Sequence, residues 1–183
     1  MLLYYLLFVL PVMALLSALI YAPFAVRLRR GGKRTVCFHL ARFALIGCVL
    51  SLIYLTVLWY YPNITFRPEW YFLNLRPFVW VTECYAMGMR KMIGQLITNI
   101  AMFVPYGLLL PIVFRRMRVW RKTGLAVLFT TLSIETIQYF IGRSADIDDV
   151  IMNLWGGLLG YGLFALLNRL LGRRAWWRSM LGA

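Results

Sequence analysis

Long uncharged apolar runs separated by short basic islands constrain this 183-residue chain more than any other feature. Residues 2 to 26 run from Leu2 to Val26 without a charge, long enough to cross a hydrocarbon layer of about 30 Å even with Pro11 and Pro23 inside. Residues 62% hydrophobic and only 14% charged exceed what a water-soluble domain carries. Twenty Lys and Arg against six Asp and Glu give a net charge of +14. A nucleic-acid binder interleaves such charge with polar surface. Here the charge is gathered into islands, which read as membrane topology, so no nucleic-acid partner is expected.

The runs predict five spans, at about 2–26, 36–61, 93–114, 123–141 and 150–171. Together they use nearly the whole length, which implies a single membrane domain over 1–183: an all-α, polytopic helical bundle. Basic islands at 27–34 and 115–122, and three more arginines in the tail 172–179, belong in the cytoplasm by the positive-inside rule. The expected chain is therefore multi-pass in the cell membrane, with its N-terminus outside, its C-terminus inside and lipids as its surroundings. No positive region precedes the first apolar run, so a cleaved signal peptide is not expected. His39 and Arg42 lie at the basic end of the second span, where long side chains reach the headgroups. Between Pro62 and Lys91 the chain is less apolar and holds Trp70, Tyr71, Phe72, Phe78, Trp80 and Tyr85, a density suited to the membrane interface. Cys37 and Cys48 are about 16 Å apart along one helix, too far for a disulfide, and Cys84 has no evident partner. Asn63-Ile64-Thr65 matches a glycosylation triplet, a pattern that also arises by chance.

Polar groups inside apolar spans are costly and carry the functional signal. Gln95 and Asn99 share a face of the third span, and Pro105 leaves the Ala101 carbonyl without its helical donor. Glu135, Gln138 and Tyr139 share a face of the fourth with Thr131. Glu135 must therefore face the bundle interior, find a cation or be protonated. Arg143 stands beside Asp146, Asp148 and Asp149 at the turn into the fifth span, and an ion pair with Glu135 is expected. In a continuous helix Asp149 and Asn153 fall within about 60° of Asp146, whereas Asp148 lies about 160° away and is expected to be dispensable. The acids could instead serve only as helix caps. Asn99 and Glu135 each lie about 9 Å below the outer ends of their spans, with Asn153 about a turn shallower, which predicts one shared polar layer. Gly156 and Gly160 form a small-xxx-small pair expected to pack helices inside the bundle.

Several blocks in order, LNLRPF at 73–78, NIAMFVPYGLLLP at 99–111, ETIQYF at 135–140 and RSADIDDVIMNLWGGLLGYG at 143–162, resemble the VanZ-like family over the C-terminal 110 or so residues. The first two spans match only as apolar helices. The resemblance implies a bacterial envelope protein of a family associated with teicoplanin resistance, with Asn99, Pro105, Glu135, Gln138, Arg143, Asp146, Asp149, Asn153 and Gly157 as its pattern positions.

Two function classes follow. In the first, a non-catalytic protein uses Asn99, Glu135, Gln138, Arg143, Asp146, Asp149 and Asn153 to bind a lipid-linked wall precursor or lipoglycopeptide at the outer leaflet, with no cofactor or resident metal. Asn99, Gln138 and Asn153 would then hydrogen-bond sugar or amide groups. In the alternative, an intramembrane enzyme holds Mg²⁺ with Glu135, Asp146 and Asp149 and grips a lipid phosphate with Arg143. A histidine-based scheme is not expected, because the single histidine, His39, belongs at the opposite face. A transporter is disfavoured by the odd span count.

Overall fold

A computed structural model describes residues 5–29, 35–59, 66, 68–79, 81 and 88–182. Trp80, Cys84, Tyr85 and the Asn63-Ile64-Thr65 triplet lie outside them. The elements in chain order are α1 (Leu10–Arg29), entered through a π-helical turn at Tyr5–Val9; α2 (Val36–Thr56); β1 (Leu73–Asn74), preceded by a 3-10 turn at Trp70–Phe72; α3 (Met89–Val113); α4 (Trp120–Phe140); β2 (Ala145–Asp146); α5 (Ile147–Leu171); and a short α6 (Ala175–Met180). The expected all-α bundle is what forms. Its departure is a two-residue parallel bridge that pairs Leu73 with Ala145 and Asn74 with Asp146.

Among the described residues four helices are long and apolar enough to cross a membrane, at Leu7–Leu28, Val36–Thr56, Ile93–Val113 and Ile147–Leu171. They fall on the first, second, third and fifth expected spans. The fourth expected span is α4, which at 21 residues is about 31 Å long but does not meet the same test of apolarity. The reason is where its polarity goes: Thr123, Thr131, Glu135 and Gln138 are buried, while Leu125, Phe129, Leu132 and Phe140 face outward.

That inversion runs through the molecule. Leu15, Leu19, Phe24, Leu159 and Leu170 are exposed, and Ser17, Thr123 and Thr131 are fully buried. Water would penalise such an arrangement, whereas hydrocarbon accepts the apolar exterior and rewards interior hydrogen bonds.

The tightest seam joins α3 to α5. A Cβ added at Gly107 would stand 2.0 Å from the Gly157 carbonyl oxygen, one at Gly156 2.2 Å from that of Ile100, and one at Gly160 2.1 Å from that of Val104. The backbones thus touch, so the small-xxx-small pair serves internal packing. On the far side of α5, a Cβ at Gly157 would press on the Val127 side chain of α4 at 2.5 Å.

At the basic end, α6 folds back, which the sequence reading treated only as a charged tail. Trp177 is buried, donates from Nε1 to Asn168 Oδ1 at 3.0 Å and stacks on Phe164 in a cluster with Ala41 and Ile112. Arg42 lies over the Phe38 ring and donates to the Val113 carbonyl at the end of α3, and His39 Nδ1 is paired with the Tyr21 hydroxyl. Both boundary residues are therefore part of the packing at this end.

Candidate functional site

The site is built where α4 stops and α5 starts. Gly142, at φ +80°, turns the chain out of α4, and the Arg143 N–H returns to the Gln138 carbonyl at 2.9 Å, closing the helix end. The chain then runs extended through Ala145 and Asp146. Asp146 caps α5, its Oδ1 accepting the Asp148 N–H at 2.8 Å, so the capping role considered for this residue is real.

The extended stretch pairs with β1, which lays residues 73–79 across the acidic end. Asn74 donates from Nδ2 to Asp146 Oδ2 at 3.1 Å, while its own Oδ1 accepts the Arg76 N–H at 3.2 Å. From the same segment, the Phe78 N–H donates to Asp148 Oδ1 at 2.7 Å. This corrects the expectation that Asp148 is turned away to solvent. It is buried at 4% exposure, because the returning segment covers the side of α5 that the helical angle had left to solvent. The angle also misled because Asp146 itself is extended, at φ −124° and ψ 127°, and starts no helical count.

Asp148→Ala is thus expected to release residues 73–79 from α5 at a cost of about 1–3 kcal/mol, with Asp148→Asn milder because an acceptor remains. Thermal unfolding together with thiol labelling at Phe78→Cys reads both effects. Equal labelling in Asp148→Ala and the parent would contradict them.

Deeper in the bundle, the remaining expected residues meet in pairs. Glu135, 6% exposed, accepts the Asp146 N–H at its Oε2 at 3.0 Å. Asn99 reaches from α3 to Asp149 Oδ1 at 2.5 Å. Asn153 donates to Thr131 Oγ1 at 2.9 Å, and its own Oδ1 is buried without a hydrogen-bond partner. Gln138 Nε2 and Arg143 Nη1 both donate to the Thr56 carbonyl, at 2.9 and 2.6 Å, and so tie the last turn of α2 to this end of the bundle. The Arg143 charge also acts on both Glu135 and Asp149. The expected partner for this guanidinium was Glu135; the hydrogen bond it makes here is to a carbonyl that carries no side-chain signal in sequence. Gln95 is exposed and stands apart from the layer.

Asn74 and Thr56 were missed as site residues. Asn74 stood inside the LNLRPF block and could have been singled out there; Thr56 acts through its backbone and could not. Among the described residues no three Asp, Glu, His or Cys side chains converge to hold a metal ion. Each carboxylate oxygen of Asp146 accepts one hydrogen bond, Oδ2 from Asn74 and Oδ1 from the Asp148 N–H.

Beside the layer, α4, α5 and the β1 segment enclose a cleft of about 270 Å³. Glu135 and Asp146 stand in its lining, with Leu73, Leu75, Leu132, Thr136, Tyr139, Ile147 and Val150 as the walls. Leu73, Leu75 and Leu132 are exposed, so the cleft joins a carboxylate end to an apolar surface of a membrane protein.

The sequence profile of the VanZ/LLP1 family matches residues 2–168, nearly the whole chain and both of the first two helices. The chain is 38% identical over 98 residues to Protein VanZ of Enterococcus faecium, a stretch covering 53% of this chain and 55% of that protein. The match thus spans about half the length of this curated relative. No solved structure matches the chain. With the family profile covering all but Met1 and the last 15 residues, the chain belongs to the VanZ/LLP1 family.

Proposed function

We propose that this protein is a non-catalytic component of the bacterial envelope that binds an amphiphile at the outer leaflet, either a lipid-linked wall precursor or a lipoglycopeptide, and thereby contributes to teicoplanin-type glycopeptide resistance. The observation that carries the reading is the cleft itself, which sets Glu135 and Asp146 in a mainly apolar lining whose Leu73, Leu75 and Leu132 are exposed. A membrane site of that form suits a molecule with a polar head and a hydrocarbon tail. Asn99, Gln138 and Asn153 then act as scaffold, since the amide nitrogen of each already bonds a neighbour in the fold, Asp149, the Thr56 carbonyl and Thr131 in turn. Arg143 helps hold the scaffold together, and Glu135 and Asp146 are the carboxylates that line the cleft. The alternative, an enzyme with Mg²⁺ on Glu135, Asp146 and Asp149, finds less support, because among the described residues no three such side chains converge on one point.

The reading requires the acidic end to face out and the basic islands to face the cytoplasm, with α4 crossing the membrane as the fourth of five spans. Alkaline-phosphatase fusions are expected to be active at Ala145 and silent at Arg118. The reverse pattern would overturn the orientation, and activity at both positions would remove α4 as a span.

Native mass spectrometry of the detergent-purified protein tests the binding itself. A retained amphiphile is expected on the parent and at least tenfold less on Thr136→Trp, which fills the cleft from an exposed position on its wall. Equal retention by both would place the ligand elsewhere.

A further inference from the structure

Next to the cleft at Glu135 lies a second, wider one of about 910 Å³, a size that suits a ligand site. The two share Leu73, Leu75 and Asp146 in their linings, so they adjoin. The second is the more polar, and it adds Trp70, Tyr71, Asn74, Arg76 and Ser144. Its wall is the segment that crosses the end of α5, fixed at two points by Asn74 on Asp146 and by the Phe78 N–H on Asp148. Phe78 holds φ +64°, a left-handed value uncommon for a side chain of that bulk, and its N–H bond anchors it there. The wall is thus in place before a ligand arrives.

Trp70 and Tyr71 are 82% and 62% exposed, which leaves most of each ring for a ligand. Aromatic residues at a membrane boundary often do no more than lie among head groups. Here they share a concave wall with Asn74, Arg76, Ser144 and Asp146. Among the described residues the Arg76 guanidinium and the Ser144 hydroxyl make no hydrogen bond within the fold. Asn74 keeps a second amide N–H, and each Asp146 oxygen, having accepted one hydrogen bond, can accept another. The cleft therefore offers donors and acceptors side by side, with one positive and one negative side chain.

A phosphate would satisfy Arg76 and be repelled by Asp146, and an ammonium would do the reverse. Ring hydroxyls both donate and accept, and the C–H face of a sugar packs on an aromatic face. We infer that this second cleft binds a sugar ring, stacked on Trp70 with its hydroxyls on Arg76, Ser144 and Asp146, while the tail of the same molecule runs into the neighbouring cleft along Leu75 and Leu132. This rests on the amphiphile-binding reading and names the head group. A glycosylated wall precursor and a lipoglycopeptide share that chemistry.

The test uses the full chain held in amphipol, so that no lipid head group competes, and thermophoresis of the labelled chain. Octyl glucoside, octanol, octyl phosphate and octylphosphocholine are the probes, each below its micelle-forming concentration. Octyl glucoside is expected to bind at least tenfold more tightly than the other three. Trp70→Ala is expected to bring it down to the level of octanol while octanol binding stays unchanged. Ser144→Trp, which fills the second cleft from an exposed position, should do the same and keeps the test decisive if Trp70→Ala fails to fold. Thr136→Trp, which lines only the first cleft, should weaken octyl glucoside and octanol alike. Octyl phosphate or octylphosphocholine binding as tightly as octyl glucoside would overturn the assignment, as would a glucoside preference that survives both Trp70→Ala and Ser144→Trp. Should octanol bind the parent as tightly as octyl glucoside, the sugar claim falls while amphiphile binding stands. Binding of none of the four would sink both. Displacement of octyl glucoside by a lipid-linked wall precursor would support the sugar with the precursor as its source, and displacement by teicoplanin would support it with the lipoglycopeptide as its source.

Discussion

Gly160→Val is expected to abolish the folded bundle. The hydrogen at that position already points at the Val104 carbonyl, and a Cβ there would lie 2.1 Å from the oxygen and 2.7 Å from the Leu108 nitrogen. Both are backbone atoms of a helix that is itself pressed against α5 at Gly107 and Gly156, so neither can swing aside as a side chain would. Relief requires α3 and α5 to separate, which opens the seam along its length. Overpacking of an interior ordinarily costs about 1–3 kcal/mol, and a rigid backbone contact belongs at or above the top of that range. Gly162 lies two residues further along α5 with nothing within 4 Å of a built Cβ. Gly162→Leu is therefore expected to change stability by less than about 0.5 kcal/mol. Tryptophan fluorescence during thermal unfolding in detergent compares the two, and similar melting of both variants would refute the seam.

Arg143→Ala is expected to be the most damaging change to the layer itself. It removes the donor to the Thr56 carbonyl and the positive charge acting on Glu135 and Asp149 together. Losing a charge-assisted hydrogen bond of this kind costs about 1.5–3 kcal/mol, and the buried carboxylates lose a nearby positive charge as well. Glu135→Gln alone keeps an acceptor for the Asp146 N–H and lowers the negative charge, so it is expected to be milder. For the same reason it should recover part of the stability lost in Arg143→Ala. A double-mutant cycle measures that coupling, and effects that add to within about 0.5 kcal/mol would show that the two side chains do not depend on each other.

How much of this was legible in the sequence depends on the physics of each element. Hydrocarbon imposes length and apolarity on a helix, and the spans at Leu7–Leu28, Val36–Thr56, Ile93–Val113 and Ile147–Leu171 could be found from those two demands alone. Helix α4 passes the first demand and fails the second, because Glu135 and Gln138 are there to be buried by neighbours that a hydropathy window does not see. Depth arithmetic on Asn99, Glu135 and Asn153 pointed to one layer, and rise per residue is a property of every helix, so that argument needed no tertiary information. Asp148 escaped it. Its role depends on Phe78, 70 residues earlier, and on an extended chain at Asp146 that ends the helical count one residue before it. Thr56 escaped for a different reason, since a terminal helix carbonyl is the same in every residue type. Trp177 read as part of a basic tail, yet its indole is an amphipathic plug with Asn168 waiting for the N–H.

Teicoplanin binding to the protein in nanodiscs, followed by thermophoresis of the labelled chain, tests the central claim most directly. Saturable binding is expected for the parent and for Gly162→Leu, with at least a tenfold loss in Thr136→Trp at unchanged melting temperature. The same comparison with a lipid-linked wall precursor covers the second ligand class. Failure of both ligands to bind the folded parent, or binding that Thr136→Trp leaves intact, would contradict an outer-leaflet site beside Glu135 and Asp146.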